Sequence, residues 1–243
     1  MNLTYTYTLS NNSIIEPTGN VKDLGIFVDS KLEWDIHISN TCKKARRMSG
    51  WTLNTFRTRA RGPMLTIYKS LIRPILEYNS EVWNPYKKKY IIQIENIQRS
   101  FTYKIFGMQE LNYWDRLKDL QIKSLQRRRE LSIITNIWKI KNNIYPNSIN
   151  LQFKPNNRSH GIKAILPPLP QPSGSIQSKF EQSFAVKGAK LWNSLPASLT
   201  IITKLTEFKI CLKKFASGIP DRPPLPGYSG ESSNSLIDLH QIH

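Results

Sequence analysis

A mainly α-helical fold with a small N-terminal β-meander, an α+β arrangement, is what this sequence predicts, and three observations carry it. Apolar residues recur at three- and four-residue steps through most of residues 34–141, the spacing of helices that bury one face. Alternation with a period of two is confined to the residues before Ser30. Prolines, glycines and serines, which punctuate regular structure, concentrate in residues 154–178 and after Gly218.

The elements follow in order. Thr4 to Leu9 alternates and is rich in β-formers, Ser10-Asn11-Asn12 supplies a turn, and Ile14 and Ile15 start a return strand. Pro17 and Gly19 mark a break, after which Val21, Leu24, Ile26 and Val28 read as a third strand ending at Asp29-Ser30. A three-stranded meander of this size is marginal alone, so residues 1–33 read as the edge of a larger sheet. From Trp34, the positions Ile38, Cys42, Ala45, Met48 or Ser49 and Leu53 predict a helix to about Phe56. Gly62-Pro63 breaks it, and Pro63 suits the first turn of the next helix. That helix carries Leu65, Tyr68, Leu71, Ile72, Ile75 and Leu76 on one face, is kinked at Pro74, and ends at Asn84-Pro85. Ile91, Ile94, Ile97, Gln98, Phe101 and Ile105 are in step along a third, for which Gly107 is the stop. A short helix over 114–120 and a longer one over 125–141, with Leu131, Ile134, Ile137 and Trp138 inward, complete a helical domain spanning 34–146. Residues 147–179 form a Pro/Ser-rich linker. Residues 180–217 form a small element in which a strand end near Phe184 and Val186 runs into a short helix through Trp192. A last helix covers Leu205 to Phe215, and residues 218–243 are expected to be a disordered tail.

Hydrophobic residues make up 39% of the 243, enough for a core. The 35 Lys+Arg against 17 Asp+Glu leave a net charge of +18, the balance of a protein that binds a polyanion. For a basic chain rich in aromatics the commoner polyanion is nucleic acid. Cys42 and Cys211 are too few for a disulfide scaffold and have no neighbouring Cys or His at zinc spacing, so two buried thiols in a reducing compartment are expected. No 18-residue apolar run and no signal-peptide pattern occur, which predicts an intracellular protein, nuclear or cytoplasmic, without a membrane partner.

Metal-assisted phosphoryl chemistry needs paired carboxylates about 4 Å apart. Asp23, Asp29, Asp35, Asp115, Asp119, Asp221 and Asp238 include no adjacent pair, and Asp115 and Asp119 read as a solvated helix face. His37, in Trp34-Asp35-Ile36-His37-Ile38, reads as a capping or packing residue, while His160, His240 and His243 are scattered. No phosphate-binding glycine loop and no nucleophile elbow are present. No catalytic residue, metal or cofactor is therefore expected.

Charge distribution is the informative feature. Between Asp35 and Glu77 there is no acidic residue, and the interval holds nine cations: Lys43, Lys44, Arg46, Arg47, Arg57, Arg59, Arg61, Lys69 and Arg73. A solubilising helix face mixes both signs; this one does not, and its arginines suit forked hydrogen bonding to phosphate oxygens. Lys87-Lys88-Lys89 opens the third helix and Arg127-Arg128-Arg129 lies on the long one, each readable as a binding or as a structural cluster. Trp51, Tyr68, Trp83 and Tyr103 could stack on bases or fill the core.

In order along the chain, several segments resemble a known family. Lys22-Asp23-Leu24-Gly25-Ile26-Phe27-Val28-Asp29-Ser30-Lys31-Leu32-Glu33-Trp34 with His37-Ile38 resembles the stretch following the catalytic palm in jockey-like non-LTR retrotransposon reverse transcriptases. Tyr68-Lys69-Ser70-Leu71-Ile72-Arg73-Pro74-Ile75-Leu76-Glu77-Tyr78, then Trp83-Asn84-Pro85-Tyr86, is the most specific part of the likeness. Ile97-Gln98-Arg99, Tyr113-Trp114-Asp115-Arg116-Leu117 and Leu125-Gln126-Arg127-Arg128-Arg129 continue it. Ser183-Phe184-Ala185-Val186-Lys187-Gly188-Ala189-Lys190-Leu191-Trp192-Asn193-Ser194-Leu195-Pro196, with Phe208-Lys209, resembles the closing element. The resemblance covers about residues 14–216 and implies the helical thumb of a polymerase right hand. Lys22, Asp23, Leu24 and Gly25 would form a primer-grip-like strand, and Arg46, Arg47, Arg57, Arg59 and Arg61 would face a template–primer duplex. The family's aromatic-Ala-Asp-Asp motif is absent, as are fingers and endonuclease. The expectation is a non-catalytic C-terminal fragment of an RNA-directed DNA polymerase, binding RNA, DNA or heteroduplex without sequence preference, with the rest of the polymerase as a further partner. An inert remnant and a host-repurposed basic interaction module are the alternatives.

Overall fold

The computed structural model describes residues 7–8, 10, 14–15, 18–156, 160–168, 179–227 and 234–239. The chain divides into two units, Met1–Asn40 and Thr41–His243. Among the described residues it is mainly helical, with three small two-stranded antiparallel sheets.

In the first unit β1 (Tyr7–Thr8) pairs with β2 (Ile14–Ile15), and β3 (Asn20–Asp23) pairs with β4 (Ile26–Asp29). The single strand expected from Val21 to Val28 is thus a hairpin, and the three-stranded meander is replaced by two separate ladders. The chain reverses at Leu24-Gly25, with φ of +44° and +86°. Positive φ at both central residues is what a two-residue type I′ turn requires. Leucine in a position usually held by Asn or Gly hid the turn in the sequence. The readings made on Thr4–Thr6, Leu9, Asn11, Asn12 and Pro17 lie outside the described residues.

Asp29 organises the exit from β4. Its carboxylate accepts the backbone N–H of Lys31 at 2.9 Å, of Glu33 at 3.0 Å and of Trp34 at 3.0 Å. Burial alone would raise its pKa, but the amides of Glu33, Trp34 and Lys31 outweigh that and hold it below the usual aspartate value. The clamp fixes Leu32 and Trp34 in the left-handed region and launches α1 (Asp35–Thr55). His37 at the start of α1 accepts the Phe27 N–H on Nδ1 at 3.3 Å, a structural role.

In the second unit, the remainder of α1 is followed by α2 (Arg61–Ile67), a π-helical turn (Tyr68–Ile72) and α3 (Arg73–Glu77) in one run. Pro74 lies in the first turn of α3, where a missing N–H matters least, and the wide turn immediately before it absorbs the disruption. Asn79, at φ +49°, separates α3 from α4 (Ser80–Trp83). Then come α5 (Lys88–Tyr103), α6 (Tyr113–Asp119) and α7 (Leu125–Lys141). The side chain of Asn112 caps α6 by accepting the Asp115 N–H, and that of Ser124 caps α7 by accepting the Arg127 N–H.

The 147–179 linker is not without structure: β5 (Phe153–Asn156) pairs with β6 (Gly161–Ala164), held from outside by Asn193, whose amide exchanges hydrogen bonds of 2.8 and 2.9 Å with the Ala164 backbone. The strand end expected near Phe184 is helix instead. Val186, Ala189 and Trp192 bury one face of α8 (Phe184–Asn193) at helical spacing. A Cβ on Gly188 would meet Ile137 Cδ1 at 2.6 Å, so α8 lies against α7 at a distance only glycine allows. After α9 (Ala197–Thr200) and α10 (Leu205–Ser217) the described parts of the expected tail, residues 218–227 and 234–239, are packed and include α11 (Leu236–Leu239), with Leu236 only 1% exposed.

Two cores meet on α7. Its C-terminal half joins Trp138, Trp192 and Phe208, with ring centroids 5.4 Å apart for Trp138–Phe208 and 6.1 Å for Trp192–Phe208. Each indole N–H is satisfied, Trp138 by Ile202 O and Trp192 by Ile162 O, both at 2.8 Å. Its N-terminal half is polar and buried. Arg128 grips Glu77 with Nε and Nη2, while Arg127 donates to Pro220 O at 3.0 Å and Asn234 O at 3.2 Å. Arg129 is enclosed within electrostatic reach of Glu95, Glu77 and Glu130. The Arg127–Arg129 cluster is therefore structural. The tail closes over it. Asp221 accepts from the Ser124 N–H at 2.8 Å and Oγ at 2.7 Å, and Glu130 accepts the Leu236 N–H at 2.9 Å.

Candidate nucleic-acid interface

The second-unit part of α1 turns Cys42, Ala45 and Thr52 inward. By the 3.6-residue period this directs Lys43, Lys44, Arg46 and Arg47 to solvent, and all four are exposed. Neither they nor Arg57, exposed in the following connection, form an ion pair among the described residues. Cys42 is sealed beneath them, and burial pushes its thiol up to about 11, so it is inert.

The other arginines of the acid-free interval serve the fold. The Arg59 guanidinium bonds the carbonyls of Leu53 at 2.8 Å and Thr58 at 3.0 Å, and that of Phe56, stapling the α1–α2 connection. Arg61 pairs with Asp119, and Arg73 lies 3.6 Å from Glu77 on the next turn. Lys69 is exposed on the π turn. Five cations, Lys43, Lys44, Arg46, Arg47 and Arg57, thus form the solvent-facing set that one helix and its connection hold together. Lys22 and Asp23 end β3, and Leu24 and Gly25 form the turn of that hairpin in the first unit.

Beside α1 runs a groove of about 510 Å³, lined by Arg46, Ser49, Gly50 and Leu53 from α1 and by Asn96, Arg99, Ser100 and Lys104 across it. A second hollow of about 570 Å³ shares Arg99, Ser100, Lys104 and Pro226 with the first and continues to Tyr103, Asn112, Tyr113 and Arg116. The two form one trough whose described lining contains no carboxylate. Sequence reasoning missed Arg99, Lys104 and Arg116 as site residues; residues 96–109 are one of several further acid-free stretches, so the first two did not stand out.

Exposed aromatic rings gather near the same end of α1. Trp51 is 55% exposed and meets Phe56 edge-on, with centroids 6.4 Å apart. Phe106 is 80% exposed and is brought to the Arg57–Arg61 connection by its N–H bonding Arg59 O at 2.9 Å. Tyr103 is also exposed. Of the aromatic residues considered for stacking, Tyr68 and Trp83 are core residues, whereas Trp51 and Tyr103 are available. Lys87–Lys89 lies at the opposite end of α5, with Lys89 Nζ 4.5 Å from the Tyr90 ring.

A cavity of about 800 Å³ lies under the β5–β6 hairpin against Trp192 and Asn193. Asn193 and Thr200, polar groups in its wall, are already bonded to the backbone of Ala164 and Ile162. Among the described residues no group of three or more His, Cys, Asp or Glu is placed to hold a metal ion. No helix there is long and apolar enough to cross a membrane.

No family model and no solved structure matches the chain. It is 30% identical over 128 residues to a Caenorhabditis elegans protein named Uncharacterized protein B0403.1, a match covering 51% of this chain and 65% of that relative's length.

Proposed function

We propose that this chain grips the sugar–phosphate backbone of nucleic acid without reading its sequence, as the thumb-like, non-polymerising part of a jockey-like non-LTR retrotransposon reverse transcriptase. One observation carries the binding reading: Lys43, Lys44, Arg46, Arg47 and Arg57 are exposed without an ion pair among the described residues, and Arg46 enters a trough whose far wall, Arg99 and Lys104, is also basic and whose described lining lacks carboxylates. Side chains that only keep a protein soluble gain nothing from such one-signed grouping, whereas each phosphate they neutralise releases counterions. The thumb assignment is supported by the sequence resemblance through Tyr68–Tyr86 and Ser183–Pro196. Catalysis by paired aspartates is not part of the proposal, because the chain contains no adjacent pair.

The test is binding of the full chain to an RNA–DNA duplex by fluorescence anisotropy at a series of salt concentrations. Contact with about five phosphates gives a slope of log K against log salt near −4 to −5, similar for unrelated sequences. Affinity independent of salt, or strong preference for one sequence, overturns the reading. Nucleotide incorporation on a template–primer with Mg²⁺ would overturn the non-polymerising assignment.

A further inference from the structure

Arg116 is the anomaly in the trough. It is 4% exposed, and its Nε and Nη1 find no hydrogen-bond acceptor among the described residues. In place of a carboxylate it has two aromatic faces, with its guanidinium carbon 5.4 Å from the Tyr103 centroid and 5.5 Å from that of Tyr113. Burial lowers its pKa, and Arg99 alongside adds like-charge repulsion rather than relief. Lys104 lines the same hollow. A buried cation without a counter-charge is costly, and a second cation beside it compounds the cost. Such an arrangement persists at low cost where an anion completes it. Other buried guanidinium groups also leave nitrogens without acceptors, but carbonyls or carboxylates surround them. Arg128 bonds Glu77, Arg127 bonds two carbonyls through Nη2, and Arg129, unbonded on Nε, Nη1 and Nη2, lies within electrostatic reach of Glu95, Glu77 and Glu130, whereas the charged neighbour felt by Arg116 is Arg99.

We infer that the hollow lined by Arg99, Lys104 and Arg116 is a site for a terminal phosphate monoester at the end of a nucleic-acid strand. The charge argues for a monoester. Three cations meet no described carboxylate in the lining, and a monoester carries about −1.5 to −2 near neutral pH, against −1 for an internal phosphodiester. With Nε and Nη1 shut in, Nη2 is the edge through which Arg116 meets the ligand. Arg99 and Lys104 close on its remaining oxygens, and Tyr103 stands beside them. The phosphoryl site rests on Arg116 itself; that the group belongs to a strand end rests on the proposed function.

The experiment compares the full chain's affinity for 5′-phosphorylated, 3′-phosphorylated and unphosphorylated oligonucleotide duplexes of one sequence, with inorganic phosphate and a nucleoside monophosphate as small-ligand arms. One phosphorylated end is expected to bind about tenfold tighter or more than the hydroxyl end, the scale of a set of charge-assisted hydrogen bonds. Arg99→Ala and Lys104→Ala, changes at the rim of the hollow, should abolish that preference, the affinities for phosphorylated and hydroxyl ends becoming equal even as both fall with the loss of a trough-wall cation. Arg116→Lys, which retains the charge but not the two N–H donors of Nη2 in their fixed plane, should weaken it. Equal affinity for phosphorylated and hydroxyl ends overturns the strand-end assignment. Saturable phosphate binding lost in Arg99→Ala, with no duplex bound, would retain the phosphoryl site and overturn the backbone grip. Absence of both refutes both.

Discussion

Glu95 gives the sharpest test of the polar core. Its carboxyl is fully buried on α5, accepts the Leu125 N–H at 3.0 Å and the Tyr113 hydroxyl, and lies near the enclosed Arg129. Gln98 extends the network by accepting from the Tyr68 hydroxyl at 2.6 Å and donating to Tyr113 at 2.9 Å. Burial is the dominant influence and raises the Glu95 pKa from 4.5 to about 7, against the lowering effect of Tyr113. A carboxyl whose folded pKa is raised contributes stability that is fully present below 4.5 and lost as pH climbs through about 7. At 1.36 kcal/mol per pH unit over that interval, the loss is about 3 kcal/mol. Glu130, raised by burial, acts in the same direction, whereas His37, lowered by burial, gains stability up to 6.5 and opposes both. Urea unfolding of wild type and Glu95→Gln at pH 5, 6, 7 and 8 isolates the Glu95 share. The variant's stability should fall less steeply, the two curves diverging by about 3 kcal/mol across the range. Tyr113→Phe, which removes the hydrogen bond that favours the ionised form, should move the wild-type fall to higher pH. Parallel curves for wild type and Glu95→Gln would refute the reasoning.

Three further predictions follow from the same structure. Arg46→Glu with Arg47→Glu should make the salt slope of duplex binding shallower by about 2, since each phosphate contact contributes about 0.9, while Arg61→Ala, which breaks only the pairing with Asp119, should leave it unchanged. An equal effect from Arg61→Ala would show that the solvent-facing set is wrongly drawn. Asp221→Ala strips partners from the Ser124 amide, the Ser124 hydroxyl and Asn234, and should cost about 2–3 kcal/mol in urea unfolding; an unchanged midpoint would mean the C-terminal segment contributes nothing to the fold. Leu24→Asn replaces a leucine at φ +44° with a residue that tolerates the left-handed region, and should stabilise the hairpin by about 1 kcal/mol, read as slower amide exchange in β3 and β4.

What the sequence made legible depended on how local the signal was. Helices with a long apolar stripe were placed within a residue or two: about 34–56 against Asp35–Thr55, and 125–141 unchanged. The elements that escaped are held by partners far along the chain. The β5–β6 hairpin depends on Asn193 and Thr200, some thirty or more residues away, and its prolines and glycines read as loop. The C-terminal segment is fixed by Asp221 and Asn234, whose partners on α7 lie 97 to 110 residues upstream. Polar anchors of that kind leave no periodicity to detect. In the candidate site, the four cations of α1 were legible because consecutive turns of one helix place them together. The service of Arg61 to Asp119, 58 residues later, was not. Arg116 was invisible for the same reason, since only the meeting of α5 and α6 sets it beside Arg99.

The formal charge of +18 is not spread evenly through the fold. Acids are scarce, and several are turned inward. Glu77 answers Arg128, Glu95 and Glu130 lie within electrostatic reach of Arg129, and Asp221 is taken up by Ser124 and Asn234. Each inward pairing gives the α7 seam charge balance in a region where an unanswered charge is costly. Each pairing with an arginine withdraws a cation along with its acid, so the excess of cations stays with the exposed residues. The cations of α1 have no such partners and face solvent, and the trough that Arg46 enters has a described lining free of carboxylates. A balanced interior around α7 and a one-signed face on α1 are therefore two consequences of where a small stock of acids is placed. An acid introduced on the α1 face, at Ser49 or Gly50, should weaken polyanion binding without touching the α7 seam, separating the two consequences in a single variant.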